Sequence, residues 1–128
     1  GELALQVRLR DRFYDLHLHV PMQKVVGDRL RPAEHKDPHG VQEARKLMST
    51  ALHIVEAELT SCDRAWAVGE TFTMADCAAA PALYYVNKVQ PFEQTHPATA
   101  EYLQRLVPRP SFARVLKEAQ PYFQYFPQ

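Results

Sequence analysis

The stretch GETFTMADCAAAP, Gly69 to Pro81, limits the fold more than any other part of this 128-residue chain. Thr73 stands where an N-cap hydroxyl accepts a backbone N–H. Asp76, three residues on, can return a bond to the Thr73 N–H, which makes the pair a capping box. Asp is shorter than the usual Glu or Gln, but its charge suits the positive end of the helix dipole. Phe72 and Cys77 hold the two positions of a hydrophobic staple, and Gly69 supplies the turn before them. Together these cues predict a helix start, with structural work for Phe72, Thr73 and Asp76. Acid–base chemistry at Asp76 is the alternative use of the same carboxylate.

Apolar spacing carries the helical reading along the rest of the chain. Leu9, Phe13, Leu16 and Val20 recur at four, three and four, one face of a first helix expected from about Leu3 to Leu30. Pro21 should kink it, because proline removes an intrahelical donor. After the loop RPAEHKDPHG, Asp37 reads as an N-cap with Pro38 at the first helical position. The second helix carries Val41, Ala44, Met48, Leu52, Val55 and Leu59 on one face and ends near Ser61. A third starts at Thr73 and should bend at Pro81. A fourth begins near Pro97 and shows Thr99, Tyr102, Leu103 and Leu106; Pro108 and Pro110 break it and open a fifth with Phe112, Val115, Leu116 and Ala119. The tail QPYFQYFPQ is expected to pack as an extended or turned segment. No alternating β-branched run and no Asn-Gly or Asp-Gly hairpin turn is present. The expected fold is therefore all-α: about five helices in a single domain over residues 1–128, with the second helix at its centre.

Charge and cysteine usage exclude several classes of function. Lys plus Arg and Asp plus Glu are both 15, so the formal net charge is zero. This argues against nucleic acid, which calls for a basic stripe, and against a polybasic membrane surface. Cys62 and Cys77 are too few for a disulfide framework and suit free thiols in a reducing cytosol. The longest apolar run, Cys77 to Val86, is too short to span a bilayer, and no signal peptide is visible. A cytoplasmic protein is expected. His17 and His19 are two apart on a helix and point to nearly opposite sides, so they cannot share an ion. His35 and His39 lack a zinc-type pattern, and no metal is expected. No phosphate loop or hydrolase triad is recognisable, and no catalytic residue is assigned.

Four segments carry a family resemblance. DRFYDLHLHVPMQKVVGDRLRP, DPHGVQEARKLMSTALHIVEAEL, WAVGETFTMADCAAAPALYYVNKV and RPSFARVLKEA resemble the C-terminal all-helical domain of glutathione S-transferases, most closely the bacterial cytosolic type. The resemblance covers essentially the whole chain, and its most specific element is the Gly69…Phe72-Thr73-x-x-Asp76 cluster. In that family the cluster helps the helical domain fold and does no chemistry. The family also joins this domain to an N-terminal thioredoxin-like domain that binds glutathione and carries the Tyr, Ser or Cys activating its thiol. No βαβ pattern of that kind appears here, and Val20-Pro21, a Val-Pro pair, falls inside helical periodicity. The chain thus resembles about half of a transferase, either part of a longer protein or a stand-alone relative.

The resemblance implies a wall of the electrophile pocket and a share of a homodimer interface through the first two helices. Arg10, Tyr14 and His17, at four-and-three spacing beside the first helix's apolar face, form a polar–aromatic stripe suited to such a wall; the same spacing fits a solvated or packed stripe. Tyr84 and Asn87 on the third helix and Phe123, with the other tail aromatics, are further candidates, with packing onto the bundle as the alternative. No cofactor is expected in the chain, and glutathione would be the co-substrate of the full-length protein. The expected function is conjugation of glutathione to small hydrophobic electrophiles by that protein, with this chain alone inactive. The alternative is a non-catalytic protein-interaction module of the same fold, as in translation factors and aminoacyl-tRNA synthetase assemblies. Passive binding of a small hydrophobic ligand is a third.

Overall fold

The computed structural model describes residues 1–62 and 65–127, leaving the Cys62 side chain outside the described set. Its architecture is all-α, with no strand among the described residues. The first helical rod runs without a break through α1 (Glu2–Tyr14), a π-helical turn (Asp15–His19) and α2 (Val20–Arg29). In the π turn the Val20 N–H reaches back to the Asp15 carbonyl, five residues away. Pro21 follows at once and has no N–H to give, so the chain accommodates it by widening one turn.

That widening sets the buried face. Tyr14, Leu18, Met22 and Val25 are buried. In an ideal α-helix each step of four would drift by about 40°, and the wider turn returns Leu18 and Met22 to the core line. Leu9, Leu16 and Val20, expected at the core, are exposed instead, and Phe13 is half-buried. Apolar residues lie on the exposed side of this rod too (Leu3, Leu5, Leu9, Leu16 and Val20), so spacing alone misplaced the phase of its buried face.

α3 (Pro38–Cys62) opens with the Asp37 carboxylate accepting the Gly40 N–H at 3.0 Å. A Cβ on Gly40 would meet the Asp37 carboxylate and the end of the Lys24 side chain, so a larger residue there displaces the Lys24–Asp37 pair. Lys24 of α2 donates to Asp37 at 2.9 Å, and buried Asp28 accepts the Asp37 N–H at 2.7 Å, so the end of α2 is tied to the start of α3. Ala44, Met48, Leu52, Val55 and Leu59 of α3 face the core, and Val41 is half-buried.

The centre of the bundle is α4 (Met74–Val89), not α3 as the apolar face of the latter led us to expect. α4 packs against α1, the π turn, α2 and α5, and its run of small residues (Ala75, Ala79, Ala80, Ala82) lets those neighbours approach closely. Pro81 lies inside α4 without ending it. α5 (Pro97–Leu106) buries Thr99, Tyr102, Leu103 and Leu106. α6 (Pro110–Ala119) buries no residue fully and lies on the outside, and the tail forms a 3-10 helix over Gln120–Tyr125.

Asp76 is fully buried and joins three parts of the fold. Its carboxylate accepts the Thr73 N–H at 2.8 Å, the Ala67 N–H at 2.8 Å and the Tyr102 hydroxyl at 2.5 Å. The Thr73 hydroxyl in turn accepts the Ala75 N–H at 3.2 Å, completing the capping box. Gly69, at φ +73°, makes the left-handed turn that brings the loop back over the helix start. Phe72 packs edge-on against Trp66 at 5.3 Å, while Cys77 is exposed. The ring therefore anchors the loop through Trp66, while Phe72 and Cys77 border one groove.

Candidate functional site

The residues expected to form one pocket wall divide among three places. Tyr14 is only 3% exposed and lies in the core, edge-on to Phe13. Burial, then the nearby Glu58 and Asp76 carboxylates, raise its hydroxyl well above the ordinary tyrosine range. With no accessible face, it cannot line a cleft. Arg10 pairs with Glu58 of α3 and lies 5.3 Å over the Phe13 ring. His17 also packs on Phe13, with ring centroids 5.3 Å apart, and is exposed.

His17 and Phe13 form one edge of a groove of about 340 Å³ between the first rod and α3. Its opposite edge is Leu47, Thr50, Ala51 and Ile54. Leu47 and Ile54 are 52% and 40% exposed, and Leu16 and Val20 of the rod are also exposed. The sequence reading did not single out Leu47 or Ile54, because both lie off the α3 core face. A second apolar stripe on an otherwise amphipathic helix is the signal that could have found them.

Tyr84, Asn87 and Phe123 come together elsewhere, around the C-terminal end of α4. Tyr84 and Asn87 line a groove of about 400 Å³ with Lys88, Leu103, Gln104 and Val107. Asn87 also fastens the loop after α4, donating to Glu93 at 3.0 Å and accepting the Phe92 N–H at 3.2 Å. Lys88 is the residue that sequence reasoning missed. Its ammonium lies 5.0 Å from the Tyr84 and Phe123 ring centroids and 6.0 Å from that of Phe126. The tail is held down by this cation over three rings, by Phe126 stacked on Tyr85, and by Arg29 donating to the Pro127 carbonyl at 3.0 Å.

A polar cluster of different character joins α3 to α5. Glu56 accepts the Ala98 N–H at 3.0 Å and the Thr99 N–H at 2.8 Å, so α3 caps α5. Burial opposes ionisation of Glu56, but the Thr99 and Ala98 hydrogen bonds outweigh it and hold the carboxyl below its ordinary value. His96, 6% exposed, meets His53 ring to ring with nitrogens 2.8 Å apart and is held on its other nitrogen by Thr95. Desolvation, then the neighbouring His53, push the His96 pKa down.

Among the described residues no three His, Cys, Asp or Glu side chains are placed to hold a metal ion, and no helix is long and apolar enough to cross a membrane.

Residues 13–110 match the family described as glutathione S-transferase, C-terminal domain. A crystal structure of a glutathione S-transferase from Methylobacterium radiotolerans, in complex with glutathione sulfonate, superposes with a TM-score of 0.74 at 26% sequence identity. The match covers 86% of this chain and 52% of that one, so the present chain spans about half the length of that protein.

Proposed function

The chain belongs to the glutathione S-transferase family through its C-terminal domain, and on that premise we propose that it is the helical half of a cytoplasmic detoxifying transferase. The observation that carries this reading is the extent of the structural match: nearly all of this chain on about half of a transferase that holds glutathione sulfonate. In the proposed protein a thioredoxin-like domain precedes this one and binds glutathione. The thiolate is the attacking species, so a group on that domain must lower a thiol pKa of about 8.5. It then attacks a small hydrophobic electrophile held beside the sulfur, and much of the acceleration comes from proximity.

The helical domain contributes the electrophile wall and the subunit contact. The groove lined by Tyr84 and Asn87 supports the first role: it combines an aromatic face, against which Phe123 packs, with a side-chain amide that can orient a polar substituent. The exposed Leu16, Val20, Leu47 and Ile54 around the His17 groove support the second, since an apolar face shared by the first rod and α3 can be covered by the same face of a second copy about a two-fold axis. Arg10 then serves by bracing the rod against α3 through Glu58.

The test is the intact mass and upstream sequence of the protein from its native source, followed by assay with glutathione and an activated aryl chloride. About 80 additional residues, the size of a small domain, together with glutathione-dependent conjugation, are the expected result. A native chain of 128 residues without conjugating activity sinks the catalytic reading and leaves a protein-interaction module.

A further inference from the structure

The outer face of α3 carries a row of hydrogen-bonding side chains that the core does not use. Lys46, Ser49, Thr50 and His53 follow one another at spacings of three, one and three, which is one face of a helix. With Gln42, Arg45 and Gln90 they line a groove of about 520 Å³ beside the C-terminal end of α4, and no carboxylate is among its lining residues. The bonds within the groove fix its polarity. The Arg45 Nη1 donates to the Val89 carbonyl at 2.9 Å, and no carboxylate pairs with this guanidinium among the described residues. The Gln90 Nε2 donates to the Ser49 hydroxyl at 2.9 Å and to the Arg45 carbonyl at 3.3 Å. Ser49 therefore accepts from within the protein and keeps its own proton for a partner in the groove. Lys46 pairs with Glu43 at 3.5 Å, but both side chains are more than half exposed, and such a pair yields readily to a better anion.

His53 completes the row, and its neighbours fix which ring nitrogen is left over. The Thr95 hydroxyl donates to the Phe92 carbonyl at 3.3 Å, so it accepts from the His96 Nδ1–H. His96 Nε2 is then an acceptor, and the His53 Nδ1–H donates to it at 2.8 Å. The remaining nitrogen of exposed His53, Nε2, is bare in the neutral ring and becomes a donor on protonation. The charged and titratable groups facing this ring are His96 from the loop before α5, Arg45 and Lys46 from the preceding turns of α3, and Glu56 one turn on, whose carboxylate is engaged by the Ala98 and Thr99 N–H groups. We propose that this groove is a pH-gated site for a tetrahedral oxyanion, sulfate or phosphate, free or as a monoester, held by Arg45, Lys46, the Ser49 hydroxyl and the protonated His53 ring. The two permanent cations attract the anion at any pH, and the His53 Nε2–H adds a charge-assisted hydrogen bond on the acid side alone. A cation meets like charge in this groove, and an apolar ligand desolvates the two cations without giving them an acceptor.

The test is titration of the full chain with sodium sulfate, followed by amide and imidazole signals in nuclear magnetic resonance, with ionic strength held constant by sodium chloride. Sulfate keeps its charge between about pH 6 and about pH 8, a span that brackets the ordinary imidazole pKa of about 6.5. Saturable shifts confined to the groove are expected, with binding about tenfold tighter at the acid end, the lower range of one charge-assisted hydrogen bond. His53→Gln is expected to bring the acid affinity down to the alkaline one and to leave the latter unchanged. Lys46→Gln is expected to weaken sulfate roughly threefold or more at both pH values while keeping the ratio between them. Both residues are exposed, so helicity should be unchanged in either variant. Inorganic phosphate and glycerol 2-phosphate, compared at neutral pH, separate the sources: an ester bound at least as tightly as the free ion supports an esterified ligand, and a tighter free ion supports the ion itself. Shifts that chloride alone reproduces overturn the proposal, as do equal affinities at the two pH values or a pH dependence that survives His53→Gln. Neither glutathione nor a second domain enters this test, so its failure leaves the transferase reading standing.

Discussion

Replacing Asp76 tests whether the helix start is the organising centre of the fold. The carboxylate accepts two backbone N–H groups and the Tyr102 hydroxyl, all at 2.8 Å or less, with no exposure to solvent. Asp76→Ala removes the reciprocal half of the capping box, worth about 1 kcal/mol. It also strands the Ala67 N–H and the Tyr102 hydroxyl, at about 1.5–3 kcal/mol for each bond to a charged acceptor. The sum, about 4–7 kcal/mol, is an upper bound, because the substitution also relieves the cost of burying the charge. A loss of about 3–5 kcal/mol is expected, a large part of the 5–15 kcal/mol typical of a whole domain. Asp76→Asn separates charge from shape. Its carbonyl can still accept from Ala67 and Tyr102, but its amide turns a donor toward the Thr73 N–H, so a loss of about 2–3 kcal/mol is expected. The assay is urea unfolding followed by far-ultraviolet circular dichroism and, separately, by Trp66 fluorescence, with linear extrapolation. An Asp76→Ala protein within about 1 kcal/mol of the parent would refute the reasoning, since no arrangement of three stranded donors costs so little.

Further expectations follow from the other clusters. His96 is held neutral by burial with His53 and Glu56 facing it, so its folded pKa lies below the unfolded value of about 6.5, and the unfolded chain binds the proton first. Stability is therefore full above that value and falls as pH drops from it toward the folded pKa; His96→Asn should flatten urea midpoints compared between neutral and mildly acid pH. Glu56→Ala leaves the first N–H groups of α5 without their cap and should cost about 2 kcal/mol, read by the same unfolding assay. Lys88→Ala removes the cation from the three-ring cage. It should speed chymotryptic cleavage in the tail at Tyr122 and Tyr125 while lowering global stability by no more than about 1–2 kcal/mol. Leu47→Glu with Ile54→Glu should convert the proposed dimer to a monomer in sedimentation velocity without loss of helicity.

How far the sequence exposed this molecule depended on whether each signal was local. The capping box, the Asp37–Pro38 start of α3 and the Thr99–Leu106 face of α5 are set by residues within one or two turns of each other, and the structure places each of them there. The buried face of the first rod is set by a wider turn at Pro21 together with what α4 presents to it. A one-dimensional period carries neither, and the rod's spare apolar residues gave a self-consistent wrong phase. The same error moved Tyr14 from the core to a supposed wall, and it split the candidate site, because His17 then belongs to the α3 side while Tyr84, Asn87 and Phe123 belong to the tail side. Lys88 and Arg109 were invisible for a related reason. An exposed cation in sequence looks like a solvated charge, and only the fold shows that each lies over rings contributed by distant segments. Both cations border grooves that the core does not need, Lys88 beside Tyr84 and Arg109 beside Leu106.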